Sequence, residues 1–380
     1  MHICFITNEY PKEGYPHGGV GTFLKTIAPM LVTAGHQVSI VGINYTRTDE
    51  SSAEDGVSVF RLRKNTTKGI AWLQNAIAIN KKIKEIHKVN PIDIVESAEL
   101  ALAFINKIKD IHYVIRLHGG HHFFAEAENR GINFWKGFQE KRSFSKADGF
   151  IAVSEYVKHH TSKYLKINKL NEIIFYPVNS NHFSPKALTV DDYSIVFAGT
   201  ICEKKGVRQL IQAFPLVKEK FPQAVLNLYG RDWFFPDGSS YIEMLKSKEL
   251  PKVAPFDEHV YFKGTVSYNE IPEVYAKAGV CVFPSHMETL GLVAPEAMAC
   301  EKPVVFTQLG PGPEVIQDGC NGFLANPHEP KNIAEAIIRV FEDYERAILL
   351  AKNGRKTVLE KFNPETIVQQ NIDFYSNLVR

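Results

Sequence analysis

Two glutamates, Glu288 and Glu296, stand eight positions apart in METLGLVAPEAMACEKPVV, residues 287–305. The apolar run VCVFPS before them predicts a buried strand, so Glu288 falls in the loop that follows it. Pro295 suits the first turn of a helix, and Glu296 comes next. A carboxylate there complements the helix dipole, an effect of about 0.3–1 kcal/mol. That accounts for Glu296 and leaves Glu288 unexplained. If the amides of the loop wrap a diphosphate, both carboxylates remain to accept hydrogen bonds from hydroxyls. A diphosphate with hydroxyls on both sides is the chemistry of a nucleotide sugar.

Three further stretches carry chemistry. HGGVGT (17–22) opens a helix, whose free N–H groups and positive dipole suit a phosphate. It is a poor dinucleotide fingerprint: G-x-G-x-x-G is absent and about ten residues separate it from the preceding strand, where that fingerprint wants a tight turn. The glycines could equally serve a turn alone. RLHGGHH (116–122) invites a metal reading, but no cysteine or carboxylate set completes a shell and D-x-D occurs nowhere. No metal is expected. His118, at the end of a strand, is placed to touch a ligand, whereas His121 and His122 read as loop surface. GTICEKKGVRQLIQAF (199–214) sets Lys204, Lys205 and Arg208 where a helix begins. A lysine there can reach a phosphate, and a solvated basic turn is the alternative.

The elements that must position these residues alternate. HICFIT, HQVSIVGI, IDIVES, HYVIRLHG and GFIAVS read as strands. GTFLKTIAPMLVTAG reads as a helix with Phe23, Ile27 and Leu31 on one stripe and Gly35 as its stop. After a polar, proline-bearing stretch near 177–190 the series restarts with SIVFAGT, AVLNLYG, HVYFKGT, GVCVFPS and KPVVFT. Strands alternating with helices argue for parallel sheets, here two doubly wound domains that face each other across an interdomain cleft.

The chain has 380 residues, 44% hydrophobic and 23% charged. No apolar run approaches the roughly 20 residues of a membrane-spanning helix. The start lacks the pattern of a signal peptide, and five scattered cysteines without C-x-x-C fit a reduced, cytoplasmic protein. Residues 1–190 carry 24 basic and 17 acidic side chains, the remainder 20 and 25. The basic half points to anionic partners. Nucleic acid is not expected, since the net charge is +2 and no recognition motif occurs.

The E-x7-E of Glu288 and Glu296, with YFKGTVSYNEIPEVYAKAGVCVFPS before it and EVIQDGCNGFL after it, resembles the signature of the retaining glycosyltransferases of family 4. GGVG, ADGFIAVSEYV and KKGVRQLIQAF match as well, so the resemblance runs from residue 3 to about 325. It implies an α/β fold of the GT-B type, two facing Rossmann-like doubly wound parallel-sheet domains. Residues 1–187, joined by a C-terminal helix at 365–380, would form the acceptor-side domain, and 188–364 the donor domain. Glu296 would hold the donor ribose and Glu288 the transferred sugar. The backbone of Thr289, Leu290, Gly291, Leu292 and Val293 would surround phosphate and sugar. Lys205 would neutralise the diphosphate, Gly19 and Val20 would approach it, and His118 would lie near the reacting sugar. Lys205, Glu288 and His118 are thus the expected catalytic residues. Where the family has an arginine after the glycine ending the first donor-domain strand, this chain has Thr200; Arg231 or Arg208 would compensate.

The resemblance further implies transfer of a hexose with retention from a nucleotide sugar, UDP-glucose-like in preference to a GDP-sugar, without cofactor or metal, as in polysaccharide biosynthesis. The acceptor would be a glycan or lipid-linked hydroxyl. The basic segment 61–88 would rest on the inner face of an anionic membrane, with a crossover helix as the plainer reading. A non-catalytic nucleotide-sugar-binding subunit and another GT-B enzyme, such as a sugar-nucleotide epimerase, are the alternatives.

Overall fold

A computed structural model describes residues 1–15, 18–128 and 130–380. His17, the first residue of HGGVGT, lies outside the described residues. The chain divides into two compact units, Met1–Pro177 with Pro364–Arg380, and Val178–Asn363.

The first unit runs β1 (His2–Ile6), α1 (Gly19–Thr33), β2 (Gln37–Ile43), β3 (Glu50–Glu54), β4 (Val57–Leu62), α2 (Ala71–Val89), β5 (Ile94–Ser97), β6 (His112–Leu117), α3 (His121–Ala127), α4 (Phe134–Lys146), β7 (Gly149–Ala152), α5 (Glu155–Ser162) and β8 (Leu170–Ile173). Its sheet has the order β3-β4-β2-β1-β5-β6-β7-β8 among the described residues. All pairs are parallel except β3 with β4. The chain leaves β1 in one direction and returns beside it in the other, so β1 and β5 mark the switch point where such sheets bind ligands. Helix α1 buries Phe23, Leu24, Ile27 and Leu31. It stops at Gly35, whose φ of 85° lets the Gly35 and His36 N–H groups bond to Val32 O at 2.9 Å and Leu31 O at 3.0 Å. These two bonds satisfy carbonyls that a helix end leaves open.

The second unit runs β9 (Asp191–Ala198), α6 (Val207–Lys220), β10 (Val225–Tyr229), α7 (Tyr241–Met244), β11 (Val260–Gly264), α8 (Ile271–Ala276), β12 (Ala278–Phe283), α9 (Val293–Ala299), β13 (Val304–Thr307), α10 (Gly312–Val315), β14 (Phe323–Ala325), α11 (Pro330–Glu342) and α12 (Tyr344–Lys361). Its sheet order is β11-β10-β9-β12-β13-β14, parallel throughout. Its switch point lies between β9 and β12, and the loops after these two strands carry Lys205 and Glu288.

The first unit ends at Pro177, at the start of the polar, proline-bearing stretch 177–190. The polar stretch packs on the second unit because it hides one anchor. Phe183 is buried against the rings of Tyr268 at 5.5 Å and Tyr275 at 6.4 Å, and Val178 N–H donates to Phe362 O at 3.0 Å.

Helix α13 (Pro364–Val379) returns to the first unit. It is held through Arg116 on β6, which is fully buried. The guanidinium donates to both oxygens of buried Glu96, at 2.7 and 3.1 Å, and to Asn371 of α13. The Tyr375 hydroxyl, also on α13, donates to Glu96 Oε2 at 2.6 Å. Phe23 of α1 lies beneath the guanidinium, 4.5 Å from ring centroid to Cζ. Removing one member strands a charge in the core. Arg116→Leu is therefore expected to cost about 3–5 kcal/mol, read from urea unfolding; a loss within a few tenths would show that water reaches Glu96.

Candidate functional site

In the second unit, β9 gives way to Gly199 and Thr200, then to a single turn over Glu203–Lys205 that ends at Gly206 with φ 70°. A Cβ at Gly206 would sit 1.9 Å from Pro284 O, in the loop after β12. His286 N–H donates to Lys204 O at 2.9 Å. The two loops are thus locked together backbone to backbone. The lock sets Lys205 against Glu288: its ammonium donates to Glu288 Oε1, which also accepts from the Ser285 hydroxyl at 2.8 Å. Glu288 is buried. Sequence reasoning chose both charged residues but missed Ser285, which stands three residues ahead of Glu288 in the same loop and could have been found there.

After Glu288 the chain turns at Gly291, φ 81°, where a Cβ would meet the Phe306 ring at 2.5 Å. Leu290 is fully buried. The backbone N–H groups of Leu290, Gly291 and Leu292 have no hydrogen-bond partner among the described residues. Val293 then opens α9, which carries no capping side chain. Such a run of unpaired amides suits an anion. Glu296 lies in the first turn of α9. Its carboxyl has no hydrogen-bond or ion-pair partner among the described residues, and burial pushes it up to about 8.

Thr200 occupies the position of the missing arginine, and its hydroxyl accepts from Arg231 Nε at 3.3 Å. Arg208, the other candidate, is engaged by Glu203. Of the two, Arg231 is the cation without an ionic partner among the described residues. A separate cavity in this unit, lined by Asp192, Tyr193, Lys302 and Tyr344, contains none of the expected site residues.

In the first unit, Gly19 and Val20 open α1 after the N-cap Gly18, whose N–H donates to Glu9 Oε2 at 3.2 Å; the first turn itself holds no acidic residue. A Cβ at Gly19 would meet nothing within 4 Å, so the packing of the chain does not require glycine there. His118 follows β6. Its Nδ1 bonds to the Tyr176 hydroxyl, and its Nε2 has no partner among the described residues. Burial, with the Arg116 charge adding to it, lowers His118 to about 3. Burial raises the Tyr176 phenol. The pair is neutral and presents a polar, uncharged nitrogen.

His121 and His122 are not loop surface. Both are buried, because the Glu140 carboxylate caps the start of α3. It accepts from their backbone N–H groups at 2.8 and 3.0 Å and from His122 Nδ1. His121 Nε2 accepts from Asn133 N–H at 2.9 Å. Buried Glu99 accepts from Gly119 N–H at 2.7 Å, and burial, then the Glu140 charge, works to raise its carboxyl to about 8. Sequence reasoning missed both glutamates, since nothing local marks them. His118 follows the end of β6, whereas His121 and His122 open α3. No group of three or more metal-ligating side chains occurs among the described residues.

A family model described as Glycosyltransferase Family 4 matches residues 17–179, and one described as Glycosyl transferases group 1 matches 179–357. The chain belongs to the family 4-like glycosyltransferases and has their GT-B fold. An uncharacterized glycosyltransferase of Methanocaldococcus jannaschii is 29% identical over 377 residues, 97% of each chain. The sucrose-phosphate synthase of Thermosynechococcus elongatus has a similar fold, with TM-score 0.85 and 21% identity over 99% of this chain and 98% of that one. So does Anabaena HepE in complex with UDP-glucose, with TM-score 0.77 and 21% identity over 99% and 100%.

The state of Glu296 is measurable without substrate. Folded, it binds a proton that the unfolded chain, with an ordinary value of 4.5, releases first. Its contribution to stability is complete at low pH and is lost as pH rises from about 4.5 to about 8; Glu99 acts with the same sign. Glu296→Gln is expected to flatten the fall of melting temperature across that window and to gain most on the parent near its upper end. Identical slopes would mean that Glu296 is ionised in the native chain.

Proposed function

We propose that the chain transfers a hexose, with retention at the anomeric carbon, from a UDP-glucose-like donor to a hydroxyl of a glycan or lipid-linked acceptor. The observation that carries this reading is the clustering of Lys205, Glu288 and Ser285 beside three unpaired backbone amides and the unpartnered carboxyl of Glu296. It offers a cation and N–H donors to a diphosphate, and two carboxyl groups to hydroxyls. UDP-glucose bound to HepE, a protein of similar fold, supports the choice of donor.

In the reaction the bond between the anomeric carbon and the phosphate oxygen breaks. The acceptor oxygen bonds to that carbon from the same face, and its proton passes to the departing phosphate. Charge develops on the leaving diphosphate, so the groups that stabilise it carry the catalysis. Lys205 takes this role, with Arg231 in place of the absent arginine and no metal or cofactor. The ligand-free pairing of Lys205 with Glu288 gives way on binding: the diphosphate takes the lysine and Glu288 turns to the sugar hydroxyls. Glu296 holds the ribose, and the backbone of Thr289 to Val293 lines phosphate and sugar. Gly19 and Val20 leave room for the diphosphate, and neutral His118 offers Nε2 to the sugar. Reduced, unpaired cysteines fit a cytoplasmic setting.

Thr200 favours one second reading, a subunit that binds a nucleotide sugar without turnover. A thermal-shift and slow-hydrolysis screen of UDP-, GDP- and ADP-sugars, with and without EDTA, separates the two. A shift with one donor, and turnover indifferent to EDTA, is the expected result. A shift with no turnover for any acceptor would favour the binding subunit, and no shift at all would sink both. Lys205→Ala is expected to lower kcat/KM about 100–1000-fold, with a smaller loss for Arg231→Ala; unchanged turnover would remove that residue from the mechanism.

A further inference from the structure

Two buried carboxylates converge on one turn of the first unit. Glu99 follows β5 and Glu140 lies in α4, and neither is more than 2% exposed. The turn is Gly119–Gly120, which carries the chain from His118 into α3. Gly119 has φ 97° and gives its N–H to Glu99 Oε1 at 2.7 Å. A Cβ at Gly120 would sit 1.7 Å from Glu140 Oε1 and 3.0 Å from Glu99 Cγ. The turn is therefore gripped from both sides. The grip is itself braced. Leu102 N–H, three residues after Glu99, donates to Ser143 Oγ of α4 at 3.2 Å, and Arg142 Nε of α4 donates to Ala103 O at 2.7 Å.

Capping α3 does not require both acids, because Glu140 alone accepts from the two N–H groups that open it. Glu99 serves the turn instead, and the His118 N–H also faces it. The residue next to this grip is His118. Its ring is tied at Nδ1 to Tyr176 and lies 6.0 Å from the Phe23 ring between centroids, with Nε2 unpartnered among the described residues. Glu99 forms no ion pair among the described residues. The titratable groups that face it are Glu140 from α4 and Tyr176 beyond β8, besides His118 itself. Burial, with the Glu140 charge adding to it, raises Glu99 to about 8. At neutral pH the turn is thus held by one carboxylate and one carboxylic acid.

We propose that Glu99 is a positioning residue for transfer: opposite Glu140 it holds the Gly119–Gly120 turn and so aims His118 Nε2 at the reacting sugar. This rests on the role given to His118 above. Loss of the Glu99 proton would set two like charges around one turn. The ordinary value is 4.5 and the folded value about 8. The contribution of Glu99 is therefore complete at low pH and is lost as pH rises through about 8. The turn then loosens, and a misplacement of about 1 Å at a reacting centre costs on the order of 100-fold in rate.

The test joins a pH profile to a spectrum. With the donor and acceptor found by the screen, kcat is expected to fall above about pH 8. Glu99→Gln keeps an acceptor for the Gly119 N–H and cannot ionise, so it should retain most of kcat at neutral pH and lose that alkaline limb. Glu99→Leu leaves the Gly119 N–H unpaired and should lower kcat about 100-fold at every pH, with the thermal shift given by UDP as in the parent. The spectrum needs no substrate. In protein whose histidines are labelled with nitrogen-15, the His118 signals are assigned with His118→Asn. They should move near pH 8 in the parent and not in Glu99→Gln. Glu296 is raised to the same range, but Glu296→Gln should leave that movement in place. An alkaline limb that persists in Glu99→Gln, full kcat in Glu99→Leu, or His118 signals indifferent to Glu99 would each overturn the proposal. If no sugar is transferred to any acceptor, the transferase reading fails, and the spectra still decide whether Glu99 sets the imidazole.

Discussion

The cluster of Lys205, Glu288 and Ser285 depends on a contact that involves no side chain. Gly206 approaches the carbonyl of Pro284 so closely that a single methyl group would collide with it, and it does so at a left-handed φ that residues with a Cβ rarely adopt. With the bond from His286 N–H to Lys204 O, this fixes the spacing of the loops after β9 and β12. The Lys205–Glu288 pair hangs from that spacing. Lys205 meets Glu288 because the backbones beneath them are locked, and Ser285 completes the carboxylate's shell. A lysine has many rotamers to lose; holding its backbone rigidly beside its partner removes much of the cost of placing it.

The first unit relies on a different constraint. Arg116 and Glu96 form a buried ion pair, which by itself is weak evidence of stability, because desolvation offsets attraction. Here the pair selects a partner. Asn371 and Tyr375 supply the polar atoms that it needs, and both come from α13, more than 250 positions along the chain. A helix offering only apolar side chains would leave those atoms unsatisfied. Two positions after Arg116 on the same strand end comes His118, so the anchoring of the last helix and the placement of the imidazole share one rigid segment.

The strand–helix alternation was legible because buried parallel strands read as short apolar runs, and their ends carry small and polar residues. Gly35 was legible for the same kind of local reason. The β3–β4 pairing was not, since ESSAE is polar and takes its place through the edge of the sheet rather than through burial. The glutamate pair could be read from spacing, and the fold and class followed from the resemblance. What escaped were the partners. Glu140 caps α3 from α4, Glu99 holds Gly119, and Tyr176 holds His118 from 58 positions away; such pairings exist only once tertiary structure brings the elements together. His121 and His122 were misread because a polar residue in a glycine-bearing loop is expected outside, unless a buried carboxylate is there to receive it.

The same distinction bears on Thr200. Read along the sequence, it is the loss of a cation. In space it is a hydroxyl that accepts from Arg231, whose backbone is tied to the same segment through Ile201 N–H to Arg231 O at 2.9 Å. Arg231, just after β10, thus brings a guanidinium to the segment that follows β9. The substitution is not neutral in geometry. A guanidinium rooted in the neighbouring strand end approaches an anion from another side than one rooted at residue 200, and its planar fork makes direction matter more than it would for a lysine. Electrostatic stabilisation of a leaving group depends on donors aimed at where charge develops. Lys205 is held by the Gly206–Pro284 contact and Glu288, whereas Arg231 is exposed and held by one long hydrogen bond. The lysine is therefore the better preorganised of the two cations, and the arginine the one with more ordering left to do when an anion binds.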